Sequence, residues 1–298
     1  MPIYLPIAEL SVNLFTLLGL GAGAGLLAGM FGVGGGFVLA PLLIFIGISP
    51  AVAVAASTNQ ILASSLSGFL AHFRRSNVDF RMGNMLMIGG LTGSTLGIFV
   101  FRYFRSTGQI DLLVTLAYVF FLGSVGALMG RESFYTLRGK TPPKRKKMRW
   151  RDQLPLQMNF PRSETRHSML LPLLIGAGVG VLVSLLGVGG GFFLVPAMIY
   201  LLGLPTALAV GTSLYQTVFV TANVTMLQAL TTQTVDVVLA VPLLIGGVAG
   251  AQAGTRLGAK LPSEHVRGAL ALIVLAVALR LAYGLFVPPA NPFSVVVQ

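Results

Sequence analysis

Apolar residues recur along the chain in long runs, and short polar stretches separate these runs. A helix needs about 20 apolar residues to cross a bilayer, and most of the runs reach that length. The pattern predicts ten segments, at 8–30, 36–48, 52–72, 83–103, 110–129, 169–186, 191–203, 207–229, 236–256 and 268–287. Between the fifth and sixth segments, residues 130–168 are polar and contain four prolines, which discourage regular structure.

The composition agrees with a membrane location. Hydrophobic residues make up 55% of the 298 residues and charged residues only 9%, whereas soluble domains carry about 25% charged residues. The chain has no cysteine, which excludes disulfides, thiolate metal sites and cysteine nucleophiles. Because the first segment lacks a basic start and a small-residue cleavage site, we do not expect it to be a cleaved signal peptide.

The segment pattern occurs twice. Residues 21–41 read GAGAGLLAGMFGVGGGFVLAP, and residues 176–196 read GAGVGVLVSLLGVGGGFFLVP, at an ungapped offset of 155. Farther along, Val78–Asp79 corresponds to Val235–Asp236 at an offset of 157. The repeat unit is therefore five segments long. It predicts a first transmembrane repeat at 1–130, a basic linker at 131–168 and a second transmembrane repeat at 169–298.

The charges indicate how the repeats are oriented. Eleven of the twenty Lys and Arg residues lie between Arg131 and Arg166, and this predicts a cytoplasmic loop, with a lipid-headgroup patch as the alternative. The net charge of +12 does not indicate nucleic-acid binding, because it is concentrated in this loop. Since each repeat has an odd number of segments, the halves should be inverted, with both termini outside. Only Arg102 and Arg105 then fall on the outer side against the positive-inside rule.

Each repeat contains a triple glycine inside an apolar stretch, at Gly34, Gly35 and Gly36 and again at Gly189, Gly190 and Gly191. Glycine costs about 1 kcal/mol against alanine in a helix interior, so both runs predict breaks followed by half-helices of 12 and 11 residues. Free N–H groups at the start of a half-helix form an anion site without a buried cation. The alternative is that the triple glycines only allow close helix packing. Packing is our interpretation of the spaced glycines at 21, 25, 29, 89, 93 and 97.

Polar residues cluster where the third and eighth segments begin. We expect them to line the substrate path, because amides in hydrocarbon are costly unless they are paired or face a wet cavity. Hydrogen bonding between helices is the alternative for the hydroxyl residues. The predicted path residues are Ser57, Thr58, Asn59, Gln60, Thr212, Ser213, Tyr215 and Gln216.

Acidic residues are missing from the middle of the predicted spans. Asp79 and Asp236 stand just before segments and are interpreted as helix caps. This disfavours a cation or metal permease, and no convergent set of groups predicts an enzyme, a metal site or a cofactor. Arg280 is the one cation inside a predicted span, where it either snorkels to the outer surface or provides a fixed charge on an anion path.

The pattern G-x-x-A-G-x-x-x-G-x-x-G-V-G-G-G-x-x-x-x-P, which ends at Pro41, resembles the sulfite exporter TauE/SafE family. A degenerate copy ends at Pro196 and differs at Ser184, where the first copy has Gly29. Ala56–Ser57–Thr58 and Gly211–Thr212–Ser213 are also similar to that family. The resemblance implies transport of small anions across the bacterial inner membrane, generally outward, with sulfite and C2 organosulfur compounds as typical substrates.

We therefore expect an all-α integral membrane protein with two inverted five-segment repeats and re-entrant half-helices at the glycine motifs. Its expected function is secondary export of a small sulfur-containing anion such as sulfite or a C2 organosulfonate by alternating access. The alternatives are a passive anion channel and, less favoured, a metal-ion permease. Membrane lipid and the anion are the expected partners, and nucleic acid is not. The sequence leaves the substrate, the direction, proton coupling and the oligomeric state open.

Overall fold

The fold is described from a computed structural model of the chain, which covers residues 2–31, 36–137, 157–160, 165–258 and 263–286. These residues contain ten α-helices, in the number predicted. The helices are α1 Leu14–Phe31, α2 Gly36–Phe45, α3 Pro50–Arg74, α4 Phe80–Ser106, α5 Ile110–Leu137, α6 Leu170–Leu186, α7 Gly191–Tyr200, α8 Thr206–Leu227, α9 Val237–Gly258 and α10 Ser263–Phe286. The protein is an all-α membrane protein, and four described helices are long and apolar enough to span a bilayer: α4, α5, α9 and α10.

Two short antiparallel hairpins, one before each half, were not predicted. Strands β1 Pro2–Leu5 and β2 Leu10–Asn13 precede α1, while β3 Gln157–Phe160 and β4 Thr165–Ser168 precede α6. All four strands obey the 155-residue offset, so the repeat includes the hairpin. The prediction that the first helix begins at residue 8 was wrong, because residues 10–13 pair with β1. Regular structure also forms within the linker despite its prolines, because α5 continues to Leu137 and strands β3 and β4 lie at 157–168.

The last residue of each hairpin accepts a hydrogen bond from the first turn of the helix that follows. The Asn13 Oδ1 accepts a hydrogen bond from the Phe15 N–H at 3.1 Å, and the Ser168 Oγ accepts one from the Leu170 N–H at 3.3 Å. Side-chain oxygens at these positions satisfy N–H groups that have no partner within the helix.

Glycines join the helices of one half to those of the other. A methyl group added at Gly25 would lie 2.1 Å from the Gly247 carbonyl oxygen, and one added at Gly93 would lie 2.0 Å from that of Ala177. Helix α1 therefore packs backbone to backbone on α9, and α4 packs in the same way on α6. Small residues let helices approach this closely in membranes. The interpretation of Gly21, Gly25, Gly89 and Gly93 as packing residues is confirmed.

The two glycine-joined pairs run in opposite directions. Within each pair the helices are parallel, since Gly89 lies against Leu173 of α6 and Gly97 lies farther along, against Val181. At the end of α4, the Arg105 guanidinium donates a hydrogen bond to the Thr232 carbonyl oxygen, in a π-helical turn after α8. Helix α9 begins five residues later. The end of the molecule where α4 and α8 finish and α9 begins is called the far end. The opposite end, where α3 finishes and α4 and α6 begin, is called the linker end.

Helices α3 and α8 cross at the centre of the molecule. They are antiparallel, because Gly68 lies against Leu214 and Gly211 against His72. Neither is among the helices apolar enough to be a candidate span, since both carry buried polar side chains in their first halves. The polar residues of the sequence are thereby brought into the centre of an otherwise apolar bundle.

Candidate functional site

The starts of the two half-helices meet at the centre of the bundle. Phe37 and Phe192, the equivalent residues that follow the two breaks, are stacked with ring centroids 4.6 Å apart and an interplanar angle of 16°. Beside them, a methyl group on Gly36 would lie 2.8 Å from the Gly187 carbonyl oxygen. The breaks of the two halves are therefore neighbours in space, although 155 residues separate them in sequence.

The second break has the geometry that its glycines predict. Helix α6 ends at Leu186 and is capped by Gly187, which has a φ of +58°. A Cβ atom on Gly187 would lie 2.5 Å from the Val54 carbonyl oxygen. Only glycine adopts this conformation readily and leaves room for α3. The buried Tyr118 hydroxyl donates a hydrogen bond to the Leu186 carbonyl oxygen and so satisfies the last turn of α6. The unwound backbone is thereby held between α3 and α5.

Three peptide N–H groups at this break have no partner among the described residues. The Gly187 N–H donates to the Val183 carbonyl oxygen at 2.8 Å, and the Phe192 N–H donates to that of Gly189 at 3.1 Å. Between them, the N–H groups of Gly189, Gly190 and Gly191 donate to no residue within the described ranges. All three glycines are buried. Buried backbone donors almost always have a partner, so these three need one that the described protein does not provide.

Two polar side chains of α8 lie against the same break. A methyl group on Gly190 would be 3.4 Å from the Gln216 Oε1 and 3.3 Å from the Thr217 Oγ1. Gln216 is 0% exposed and Thr217 is 2% exposed. Both amide atoms of Gln216 and the Thr217 hydroxyl lack a hydrogen-bond partner in the described part of the chain. Leaving such a group buried and unpaired costs about 1–3 kcal/mol, which is uncommon without a functional reason.

The first break is described only in part. Gly34 and Gly35 lie outside the described residues, while Gly36 packs tightly on the side chain of Ile61. On α3, Gln60 lies against Gly247 of α9, just as Gln216 lies against Gly90 of α4. Both amide atoms of Gln60 and the Asn59 Nδ2 are also buried without a partner among the described residues. The two glutamines therefore occupy equivalent positions in the two halves.

The other predicted path residues are placed differently. The hydroxyls of Ser57, Thr58 and Ser213 donate to carbonyl oxygens of their own helices, at 2.8, 2.9 and 2.8 Å. The Thr212 Oγ1 accepts a hydrogen bond from the Asp79 N–H at 3.0 Å. Tyr215 donates its hydroxyl proton to the Asn84 Oδ1 at 2.8 Å and packs among phenylalanines of α3, α4 and α8. The structure thus brings Gln216 to a break and leaves Tyr215 in an aromatic cluster.

Thr217 is the residue that sequence reasoning missed as a member of this site. Its place beside Gln216, one position farther along α8, was the available signal. In the first half the equivalent residue, one position after Gln60, is Ile61. A polar cradle of peptide, amide and hydroxyl groups is therefore observed at the second break, and an isoleucine stands in place of the threonine at the first.

Charged side chains are kept away from the breaks. Within the described ranges, the only buried charged residues are Asp79 and Asp236, and both are the predicted caps: they accept hydrogen bonds from the N–H groups of Arg81 and Met82, and of Leu239. Arg280 is exposed, with its guanidinium 5.6 Å from the ring centroid of Phe45. This position favours snorkelling over a charge on the path.

Comparison with known proteins places the chain. A family model described as sulfite exporter TauE/SafE matches residues 17–281. The chain belongs to the TauE/SafE sulfite exporter family. It is therefore a membrane transporter and not an enzyme, and the resemblance seen in the glycine motifs is confirmed.

Several curated relatives of this TauE/SafE protein match over nearly their whole length. It is 29% identical to the probable membrane transporter protein YjnA of Bacillus subtilis, over 89% of this chain and 97% of the relative. A probable membrane transporter protein of Xylella fastidiosa is 28% identical over 90% of this chain and 94% of the relative. YunE of Bacillus subtilis, also a probable membrane transporter protein, is 26% identical over 92% of this chain and 100% of the relative. No solved structure matches the chain at a significant level.

Proposed function

We propose that this transporter exports a small sulfur-containing oxyanion, such as sulfite or a C2 sulfonate, and binds its anionic head at the glycine breaks. The observation that carries the proposal is the set of polar groups around Gly190 that have no partner among the described residues. The peptide N–H groups of the second break and the Thr217 hydroxyl lie close together there in a buried, uncharged setting. The Gln216 Oε1 is the amide atom nearest Gly190, so Gln216 donates to an anion from its Nε2 once the amide is turned over.

The chemistry of these donors matches an oxyanion. N–H and O–H groups donate hydrogen bonds to sulfonyl oxygens, and the N-terminal end of α7 adds a partial positive charge. Hydrogen bonds to a charged acceptor are about twice as strong as neutral ones. Because no fixed cation lies at the breaks among the described residues, an anion is held strongly enough to be selected and weakly enough to be released.

Because each half has a break, the anion site can be reached from either side of the membrane. We infer that the halves are inverted in the membrane, which the opposite directions of the α1–α9 and α4–α6 pairs support. The first break, with Gly34, Gly35, Gly36, Asn59 and Gln60, then completes the site from the other half. We also propose that the protein resides in the bacterial inner membrane with the linker in the cytoplasm, as the positive charge of residues 131–166 predicts.

Flux measurements on the purified protein in proteoliposomes test this function. We expect saturable transport of one sulfur-containing anion from a panel of sulfite, sulfoacetate, taurine, isethionate, sulfate and acetate, and none of nickel. The single variant Gln216→Leu should lose that flux while inserting normally. Non-saturating anion flux without accumulation against a gradient would indicate a channel, and flux of nickel alone would contradict the anion site.

A further inference from the structure

A cavity of about 210 Å³ lies between α1, α3, α8 and α9, toward the linker end, and several polar side chains stand in its mostly apolar wall. Its polar lining is formed by Ser64, Ser65, Ser67, His72, Arg75 and Gln252. The Ser65 Oγ is buried and has no hydrogen-bond partner in the described part of the chain, and Arg75 is exposed at the end of α3. Because no carboxylate lines the cavity and an arginine does, its chemistry suits a small anion.

The repeat identifies the equivalent place in the other half. Gln60 on Gly247 corresponds to Gln216 on Gly90, so residues at equal distances from these anchors correspond too. Seven residues after each glutamine stand Ser67 and Asn223. Five residues after Gly247 and Gly90 stand Gln252 and Thr95, respectively. Four residues after the same two glycines stand Ala251 and Ser94. Ser67, Ala251 and Gln252 all line the cavity.

That equivalent place is closed. The Asn223 Nδ2 donates hydrogen bonds to the Ser94 Oγ at 3.0 Å and to the Thr95 Oγ1 at 3.3 Å, which tie α8 to α4. Ser184, which stands where the first glycine motif has Gly29, is fully buried and packs on Gly97. Its counterpart Gly29 has no side chain and lines the cavity. One half is thus sealed at the position where the other half holds open space.

We propose that the cavity is the open route from the linker end to the broken helices, and that Asn223 with Ser94 and Thr95 is the closed gate of the opposite route. In the alternate state the gate opens, and Ser67 closes the cavity by hydrogen bonding to Gln252. The anionic cargo of the route rests on the proposed function. The open and closed ends do not, because they are carried by the asymmetry of the two halves.

Cysteine accessibility tests this directly, because the native chain contains no cysteine. Ser64 lines the cavity, and its counterpart four residues after Gln216 is Val220, which is 0% exposed on the sealed side. Full-length Ser64→Cys and Val220→Cys proteins are exposed in sealed, oriented vesicles to a membrane-impermeant thiol reagent. We expect Ser64→Cys to react from the linker side at least about tenfold faster than Val220→Cys reacts from either side, since a minor state is typically 0.1–10% populated.

Adding Asn223→Ala then opens the gate. The Val220→Cys label should rise from the far side while the Ser64→Cys label falls, because the two states exchange population. Thr92→Ala serves as the control and should change neither labelling rate, because it removes an exposed hydroxyl of α4 about one helical turn before Thr95. If Asn223→Ala does not accumulate, Ser94→Ala with Thr95→Val removes the same two acceptors.

Equal labelling rates of Ser64→Cys and Val220→Cys, without a further substitution, would overturn the proposal. So would a change in labelling rate on adding Asn223→Ala that is no larger than the change on adding Thr92→Ala. The labelling needs no substrate. A failed flux experiment with the anion panel would therefore sink the proposed cargo and leave the route standing, whereas failed labelling would sink the route alone.

Discussion

At the residue scale, the anion site is built from buried polar groups that have no partner among the described residues. Gln216 is the clearest, since both atoms of its amide are buried without a partner among the described residues. An unpaired amide destabilises the fold. Replacing a residue that lowers stability but is needed for binding should raise stability and abolish transport, whereas replacing a purely structural residue should not do both.

Gln216→Leu should therefore stabilise the protein and stop transport. Leucine has a similar volume and removes the unpaired amide, so we expect a gain of ~1–3 kcal/mol in the free energy of unfolding. Thermal unfolding in detergent and anion flux in proteoliposomes measure the two effects. Gln60→Leu is the matched variant in the other half. A Gln216→Leu protein that transports normally would remove Gln216 from the site.

Gly190→Ala tests the space at the break. The backbone of Gly190 has φ −49° and ψ −28°, which alanine adopts freely, and the added methyl would be 3.0 Å from the Val179 Cγ1. The fold should tolerate this with a small shift, but the methyl would occupy the space between Gln216 and Thr217. We expect flux to fall at least about tenfold, equivalent to ~1.4 kcal/mol of lost anion binding. Gly178→Ala, which meets no atom within 4 Å, is the control and should transport as the native protein does.

The sequence predicted only some of the residues at the second break. The triple glycine predicted the break at 189–191 because three adjacent glycines have no packing period, and polarity selected Gln216. Thr217 was missed, and Tyr215 was selected although it lies in an aromatic cluster, because polarity alone does not tell which face of α8 reaches the break.

At the scale of elements, glycines determine which helices pair. Where Gly25 and Gly93 lie on neighbouring carbonyl groups, any side chain must force two backbones apart. This contact is rigid on both sides, because a helix backbone cannot yield as the end of a flexible side chain does. Pairing of α1 with α9 and of α4 with α6 is thus fixed by positions without side chains.

Gly93→Ala should destabilise the protein by ~1–3 kcal/mol, the usual cost of overpacking. Its methyl would lie 2.0 Å from the Ala177 carbonyl oxygen, so α4 and α6 must separate. Gly123→Ala, on α5 with nothing within 4 Å, provides the comparison in the same thermal unfolding assay. Equal stability of the two variants would mean that this contact is not close in the protein.

The sequence predicted ten helices and the short lengths of α2 and α7, because hydropathy and glycine breaks are local signals. It did not predict the hairpins: residues 10–13 adjoin a long apolar run and were assigned to its helix, whereas in the structure they pair with Pro2–Leu5. The partners of each glycine stripe were equally out of reach, because a small-residue pattern names a packing face and not its neighbour.

At the scale of the whole molecule, the α1–α9 pair and the α4–α6 pair run in opposite directions beside the central helices α3 and α8. The repeat and the distribution of charge predict that the halves are inverted, with the linker inside. The hairpin before α1 lies at the far end, where the Ile7 N–H donates to the Asp236 Oδ2 at 3.0 Å. Arg75 lies at the linker end.

Opposite-side labelling tests this arrangement. Tyr4 is 62% exposed in the first hairpin, and a Tyr4→Cys protein should react only with reagent added from outside. An Arg75→Cys protein should react only from the cytoplasmic side. Labelling of both from one side would mean that the far end and the linker end do not lie on opposite sides of the bilayer.

The most direct test of the central claim is anion flux through the native protein and Gly190→Ala, compared in proteoliposomes at matched insertion. The account predicts saturable flux of one sulfur-containing anion in the native protein, loss of that flux in Gly190→Ala and native flux in Gly178→Ala. Native flux in Gly190→Ala, or an absence of flux for every anion in the panel, would contradict an anion site at the glycine breaks.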